Sequence, residues 1–244
     1  MKKIVNWKTF FILFVASVIS GVLVIPYQIA LVPELAELGI SLYITAMAQN
    51  LVIFSVVTFL GLLLARKVGF TLPVLEGPNK RETLKRILMP SVLSGLLIGA
   101  AIYLGDLAFQ AVSISIPTEE VRISIWVGFL ATFYGGIAEE VLLRLFFMTL
   151  LVWLISKAKQ TAEGLPTNGG VWAAILLASV IFGLGHLPIT AEMVDLTPGI
   201  IVRAVVLNSV GAIPFGWLYW KKGLESAIIS HFFAGIVLRV IVGI

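Results

Sequence analysis

The sequence predicts an all-α fold, a polytopic bundle of transmembrane helices. Of its 244 residues, 59% are hydrophobic and only 12% are charged, and the mean hydropathy is +1.07. These values lie outside the range of soluble globular domains. A bilayer core requires roughly 20 apolar residues per helix. Because lipid offers no partner to an unpaired backbone amide, each span should be helical.

Seven apolar stretches are long enough to cross a bilayer, so we predict seven spans, with eight as the alternative count. The fourth stretch is the longest and predicts a tilted or extended helix. We treat residues 1–244 as a single membrane-embedded domain, in which residues 123–240 form a core that carries the polar motifs. The stretches are 10–32, 42–65, 87–105, 123–156, 170–187, 198–220 and 224–244.

Charged residues between the predicted spans alternate in sign from one crossing to the next. By the positive-inside rule this pattern places the N-terminus in the cytoplasm and the C-terminus outside. Topology thus explains the basic residues, and we expect the lipid bilayer but no nucleic acid as a partner. The absence of cysteine excludes disulfides, thiolate metal sites and a cysteine nucleophile. The charges are Lys2, Lys3, Lys8, Glu34, Glu37, Arg66, Lys67, Lys80, Arg81, Lys85, Arg86, Asp106, Glu119, Glu120, Arg122, Lys157, Lys159, Glu192, Asp195, Lys221 and Lys222.

Three further charges stand in the middle of the fourth stretch, in "YGGIAEEVLLRLFF" (134–147). A charge near the bilayer centre costs about 2.5–3.5 kcal/mol on insertion scales, so such groups are functional candidates. Glu140 and Arg144 are spaced i,i+4, a favourable geometry for an ion pair on a helix. Glu139 is left without a cation on its own helix, and a desolvated carboxylate can serve as a general base. The alternative is that all three charges only hold helices together.

The two histidines of the chain both lie in apolar stretches. His186 closes "VIFGLGH", one turn after Phe182, and His231 lies in "LESAIISHFFAG". Because each would otherwise need its own polar partner in the membrane, we predict that they share a site with the two glutamates. Such a site can activate water directly or hold a metal. The His-Glu-x-x-His pattern of zinc hydrolases is absent, so we favour water activation without a cofactor, with zinc as the less favoured alternative.

Three short patterns, taken in order, resemble a known family. "EEVLLR" is similar to the Glu-Glu-x-x-x-Arg motif of the intramembrane glutamic endopeptidases. That group includes the type II CAAX prenyl proteases and the bacterial CAAX-protease and bacteriocin-processing relatives. "FGLGH" resembles its Phe-x-x-x-His motif, and "GWLYWKKGLESAIISHFFAG" resembles the next block, with a second histidine. The resemblance covers residues 134–235 and makes 123–240 a protease-like core.

The resemblance implies a hydrolase of prokaryotic plasma membranes that cleaves peptide bonds of a membrane-associated peptide or protein, prenylated or not. Glu139 would activate the water, and His186 would help to polarise it or to handle its proton. His231 would belong to the group that stabilises the tetrahedral oxyanion. Glu140 and Arg144 would hold these groups together. Phe182 belongs to the histidine motif.

One position departs from the family pattern. Four residues after the second histidine, where the family places Asn or Asp, this sequence has Gly235, which offers no side-chain donor. Asn208 in the sixth stretch is the candidate substitute, or else it makes a hydrogen bond between helices without a chemical role. A decayed site would suit a non-catalytic membrane adaptor or an immunity-type protein. A transporter is a third alternative, but the internal repeat typical of many transporters is absent.

The predicted boundaries place the two histidines awkwardly. His186 would lie near the outer end of the fifth span, whereas His231 would lie about 13 Å from Lys222 on the inner side, by helical rise. Both can approach Glu139 only if a helix is tilted or broken, or if a boundary is misplaced. We therefore expect one of these three features.

Overall fold

A computed structural model describes residues 5–116 and 123–243. Within these ranges seven helical segments are long and apolar enough to cross a membrane, which confirms the all-α bundle and the count of seven. Lys2, Lys3, Glu119, Glu120 and Arg122, part of the charge pattern, lie outside the described residues. The segments are Trp7–Leu31, Ile40–Val68, Lys80–Gln110, Ile125–Ala158, Asn168–Ala191, Pro198–Lys222 and Leu224–Val242.

Several spans contain more than one helix. The first is divided near Pro26, the fifth is divided at His186, and the fourth and seventh change from α- to π-helical winding. A short 3₁₀ helix, Pro33–Leu38, joins the first two spans. The helices are α1 (Trp7–Leu23), α2 (Ile25–Leu31), α3 (Ile40–Val68), α4 (Lys80–Gln110), α5 (Ile125–Phe133), a first π-helix (Tyr134–Met148), α6 (Thr149–Ala158), α7 (Asn168–Gly185), α8 (Leu187–Ala191), α9 (Pro198–Lys222), α10 (Leu224–Gly235) and a second π-helix (Ile236–Val242).

Polar side chains mark where four of the spans begin, among them the fourth, where Ser124 accepts a hydrogen bond from the backbone N–H of Val127. Asn6 accepts a hydrogen bond from the backbone N–H of Lys8 (3.2 Å) at the start of α1. Thr167 and Thr197 play the same part for α7 and α9. Such caps satisfy backbone donors that a helix leaves unpaired at its first turn. They start the first and fifth spans two or three residues before the predicted positions.

The third span is longer than predicted at both ends, and this corrects one assignment. The helix runs from Lys80 to Gln110 rather than over 87–105, so Asp106 lies inside it and not in a loop. Asp106 is buried and accepts a hydrogen bond from Arg203 Nε of α9 at 2.8 Å, with a second contact from Nη2. Its carboxylate therefore belongs to an ion pair between helices. Loss of this one acidic residue weakens the charge pattern after the third span.

The first part of the seventh span, α10, packs in the interior of the bundle. Helix α10 packs against α4, α9 and the first π-helix, and many of its residues are buried, including Ser226, Ser230 and His231. Large apolar side chains on the outer helices are exposed instead, for example Ile40, Leu97 and Trp126. A helix that exposes apolar side chains on one face and buries small or polar ones on the other suits a membrane bundle. The polar groups of α10 therefore lie where the other helices converge.

Candidate active site

The two glutamates lie on the first π-helix, where the backbone of the fourth span is wound more widely than an α-helix. Winding of this kind is rare and is frequently found at functional sites. Two glycines on this segment let α10 approach closely. A Cβ added to Gly136 would lie 2.9 Å from Phe232 Cβ, and one added to Gly135 would lie 3.1 Å from His231 Nε2. The absence of these side chains brings His231 beside the glutamates.

Glu140 is held by two partners at once. Its Oε1 lies 3.0 Å from Arg144 Nη1, one turn along the helix, and 2.8 Å from His231 Nδ1. The Arg144 contact is an ion pair rather than an aligned hydrogen bond. Glu140 is completely buried and Arg144 is only 3% exposed. The i,i+4 pairing expected from the sequence therefore forms, and it joins the fourth span to the seventh through His231.

Arg144 is fixed on its other sides as well. Its Nη2 donates to the carbonyl oxygen of Ala212 at 3.3 Å. Its guanidinium carbon lies 5.1 Å from the ring centre of Phe182 and 5.5 Å from that of Phe215. Contacts of this geometry favour a desolvated cation. Arg144 thus contacts the fourth, fifth and sixth spans, and its side chain has little freedom.

Glu139 is placed differently from its neighbour. Its Oε2 lies 3.7 Å from His231 Nε2, beyond hydrogen-bond distance, and the side chain is 12% exposed. It lines two adjoining cavities of about 240 and 330 Å³. Phe182 and His186 line both cavities with it. The carboxylate that the sequence left without a helical cation is therefore the one that faces open space.

His186 occupies a break in the fifth span. Helix α7 ends at Gly185 and α8 begins at Leu187 with Pro188 in its first turn, which proline favours because it lacks an N–H. The span continues to Ala191 rather than ending at 187, so His186 lies inside it. The predicted boundary was wrong by four residues. This longer, broken span explains how His186 reaches the cavities that Glu139 lines.

The hydrogen bonds of the two histidines define their tautomers when the rings are neutral. His186 Nδ1 lies 2.8 Å from the carbonyl oxygen of Phe182, which can only accept, so Nδ1 carries the proton. His231 Nδ1 donates in the same way to the Glu140 carboxylate. In each neutral ring Nε2 is then the acceptor. For His231 that nitrogen is directed towards Glu139.

The two cavities differ in chemical character. The smaller one is polar and basic and adds Asn208, Arg203, Gly235 and Arg239 to the shared residues. The larger one lies between the fourth and fifth spans and is mostly apolar, with Leu142, Phe146 and Ile181 among its walls. We call them the basic cavity and the apolar cavity. Glu139 and His186 stand where the two meet.

Asn208 lines the basic cavity, and its Nδ2 donates to the carbonyl oxygen of Ala204 on its own helix at 2.8 Å. This contact does not join two helices.

The sequence analysis did not identify three other residues of the site. Phe215 stacks on His231 with ring centres 4.5 Å apart, and Arg203 and Arg239 line the basic cavity. The two arginines could have been found, since each is a charge inside an apolar stretch.

The described ranges contain no group of three His, Asp or Glu side chains placed to hold a metal ion. Glu140 is instead paired with Arg144 and with His231. In metal sites, by contrast, the ligand atoms converge on a common centre.

Residues 121–237 match the family model described as "Rce1-like: Type II CAAX prenyl endopeptidase Rce1-like". Over this range, just under half of the chain, the protein is similar to the Rce1-like family. The match contains Glu139, Glu140, Arg144, His186 and His231. No curated protein and no solved structure matches the chain. This similarity to a family of endopeptidases and the seven apolar spans together indicate an integral membrane protein of a CAAX-protease type.

Proposed function

We propose that this Rce1-like protein is an intramembrane endopeptidase in which Glu139 activates a water molecule without a metal or other cofactor. The observation that carries the proposal is the unequal placement of the two adjacent glutamates. Glu140 is enclosed and paired with Arg144, whereas Glu139 faces both cavities and has no close cationic partner other than His231 among the described residues. A general base must reach both the water and the substrate, and of the two glutamates only Glu139 lines the cavities.

In the proposed reaction, Glu139 removes a proton from water as the water oxygen bonds to the carbonyl carbon of a peptide. The carbonyl oxygen becomes negatively charged in the tetrahedral intermediate. The intermediate collapses by breaking the C–N bond, and the proton passes to the departing nitrogen. The products are a carboxylic acid and an amine, so one water is consumed and no oxidant or metal is needed.

The histidines would assist at either side of Glu139. Nε2 of neutral His186 is an acceptor in the cavity wall, because Nδ1 is bound to Phe182, and it can orient the water or receive its proton. His231 keeps Nδ1 on Glu140, so it would stabilise an oxyanion from Nε2 only as a doubly protonated ring. Glu140 and Arg144 would position His231 rather than touch the substrate.

The apolar cavity supports a proposal for the substrate class. We propose a membrane-associated peptide or protein, prenylated or not, whose apolar part enters the apolar cavity between the fourth and fifth spans. Leu142, Phe146 and Ile181 give this cavity walls suited to a lipid-like chain. We also propose that the protein resides in a prokaryotic plasma membrane with its N-terminus in the cytoplasm, as the remaining charge pattern indicates.

The second candidate function is a non-catalytic adaptor or immunity-type protein that keeps the fold. Gly235 is the observation in its favour, because no side chain at that position can donate to an oxyanion. The pairing of Glu140 with Arg144 and His231 speaks against it. A buried polar network of this kind is costly when incomplete, and a protein without catalysis has no need of Glu139 at the cavity wall.

The deciding experiment measures cleavage of fluorogenic peptides, farnesylated and unmodified, by the protein purified in detergent. Wild type, Glu139→Gln and Glu163→Gln are compared, each with and without a chelator. Glu163 lies on an exposed loop and gives the same chemical change away from the cavities. We expect Glu139→Gln to lower kcat/KM by about 10²–10⁴, as the loss of a general base does. Glu163→Gln and the chelator should have no effect.

Two results would overturn the proposal. Turnover that survives in Glu139→Gln at the wild-type rate removes Glu139 from the chemistry. Turnover that is lost when the chelator is added would mean that a bound metal activates the water. A wild type that cleaves none of the peptides, with both variants folded, favours the adaptor.

A further inference from the structure

The basic cavity contains a cation at the place where residue 235 has no side chain. His231, Gly235 and Arg239 follow one another at intervals of four along the seventh span, so they share a face. Long side chains on a helix lean back towards its N-terminus. The Arg239 side chain does so here, since a Cβ added to Gly235 would lie 3.1 Å from Arg239 Nη1. The glycine therefore leaves to the guanidinium the space that a side chain at 235 would take.

Arg239 lines the basic cavity together with Glu139, His186 and His231. Its recorded contact is with the ring of Tyr27, 5.5 Å from the guanidinium carbon. In the part of the chain that the structure describes, it forms no ion pair and no hydrogen bond within the bundle. Arg203, which lines the same cavity, is neutralised by Asp106. Arg239 is thus the cation of this cavity whose N–H donors are not used by the protein.

A cation within a span whose side chain lies in a cavity is a candidate for a role with a ligand or a reaction. The proposed reaction creates negative charge in this cavity, on the carbonyl oxygen of the attacked peptide bond. A guanidinium carries five N–H donors and no acceptor, and its hydrogen bonds to an anion are stronger than those of a neutral amide. Donors that already lie in the cavity before the reaction cost little reorganisation when the charge develops.

We propose that Arg239 is a catalytic residue that donates hydrogen bonds to the oxyanion of the tetrahedral intermediate. The assignment rests on the proposed endopeptidase function. It makes Gly235 a requirement of the site rather than a sign of its loss, because a side chain there would crowd both the guanidinium and Thr132, 3.2 Å from an added Cβ. The electrons that shift from the carbonyl double bond to oxygen on water attack return when the C–N bond breaks, so Arg239 changes neither its protonation nor its charge.

The kinetic test compares Arg239→Ala and Arg239→Gln with wild type on the peptide that wild type cleaves fastest. Arg86→Ala, on an exposed face near the start of α4, is the matched control. Loss of an oxyanion donor commonly lowers kcat by about 10²–10³. We expect that loss in Arg239→Ala and a smaller one in Arg239→Gln, whose amide keeps a neutral donor, with KM almost unchanged and no effect of Arg86→Ala. A higher KM at wild-type kcat would mean that Arg239 binds an anionic group of the substrate, and would overturn the assignment.

A double variant separates chemistry from folding. In Gly235→Asn/Arg239→Ala, an amide takes the space that the guanidinium vacates, so a donor returns to the same place. We expect kcat to recover about tenfold or more over Arg239→Ala, within the range that a single donor contributes. Gly235→Asn alone should be slower than wild type, because the two side chains compete for that space. No recovery, with equal melting temperatures, counts against the proposal.

A binding measurement decides the matter without turnover. The probe is a farnesylated peptide in which a phosphinate replaces the scissile amide, so that it carries a tetrahedral anionic centre. Such transition-state analogues bind more tightly than substrates. We expect Arg239→Ala to lower the affinity for the phosphinate by about 10²–10³. In a Glu139→Gln background, the same substitution should leave the affinity for the parent peptide unchanged. Equal phosphinate affinity in wild type and Arg239→Ala would refute the proposal.

The two proposals fail in different ways. If Glu139→Gln retains full activity, the endopeptidase mechanism is wrong. If Glu139→Gln is inactive and Arg239→Ala is as fast as wild type, only the assignment of Arg239 is wrong.

Discussion

Replacing Glu140 by alanine tests the division of labour between the two glutamates. In the wild type, Glu140 is completely buried and Arg144 is 3% exposed, with 3.0 Å between the paired atoms. The substitution removes the carboxylate and leaves the guanidinium in a dry environment. It also removes the acceptor of His231 Nδ1, which is 2.8 Å away. Glu139→Gln, in contrast, removes a charge that faces the cavities and keeps the side-chain volume.

Breaking a buried ion pair by removing one partner costs about 3–5 kcal/mol. For a domain of roughly this length, 1 kcal/mol corresponds to a shift in Tm of about 2–4 °C. We therefore expect Glu140→Ala to melt roughly 6–20 °C below wild type. Glu139→Gln should lie within a few degrees of wild type, because no buried partner of Glu139 is left with an uncompensated charge.

The assay is thermal unfolding in detergent, followed by the fluorescence of the six tryptophans. Glu140→Ala/Arg144→Met is the informative control, since it removes the stranded cation and keeps a long apolar side chain. The double variant should recover part of the lost Tm, because an apolar replacement of a buried pair is often neutral. Equal Tm losses in Glu139→Gln and Glu140→Ala would refute the reasoning, as would a double variant no more stable than Glu140→Ala.

Three further substitutions test other contacts of the bundle. Gly135→Ala places a Cβ 3.1 Å from His231 Nε2 and should shift that ring. We expect kcat to fall roughly 10- to 100-fold with little change in Tm, because small displacements in a reactive site are costly. Glu225→Ala removes the acceptor for two backbone N–H groups of the loop before α4, at 2.8 and 2.9 Å, so amide hydrogen exchange in that loop should accelerate. Arg203→Ala should lower the Tm by stranding Asp106, and the double variant with Asp106→Ala should recover part of the loss. Unchanged kcat, unchanged exchange or additive Tm losses would contradict the respective prediction.

The fold class was predictable from the sequence because membrane spans are defined by composition and length alone. Seven apolar stretches correspond to the seven spans. The ends were less predictable, since a helix may continue through basic residues such as Lys80 or past a proline such as Pro188. These local continuations depend on packing in three dimensions, which apolar run lengths do not record. These continuations explain why the predicted span boundaries placed His186 far from the glutamates.

The candidate site was predictable in its members more than in its geometry. The i,i+4 spacing indicated the pair of Glu140 with Arg144, and that pair forms. The contact of His231 with Glu140 was not predictable, because it joins residues 91 positions apart and depends on the close approach of α10. Arg239 was overlooked because it was treated as part of an apolar stretch. Its interest appears only when its side chain is seen to lie over Gly235.

The balance of charge inside the bundle separates structural from reactive groups. Two ion pairs, Glu140 with Arg144 and Asp106 with Arg203, neutralise buried charges between helices or within one helix. The basic cavity is also lined by two further charged side chains of opposite sign, Glu139 and Arg239. In the described ranges, neither lies within ion-pair distance of a side chain that carries a permanent opposite charge. Direct contact between the two would have cancelled both at low cost. Keeping them apart on one cavity wall leaves a base and an anion donor for a substrate to join, which is the arrangement that hydrolysis of a peptide bond requires.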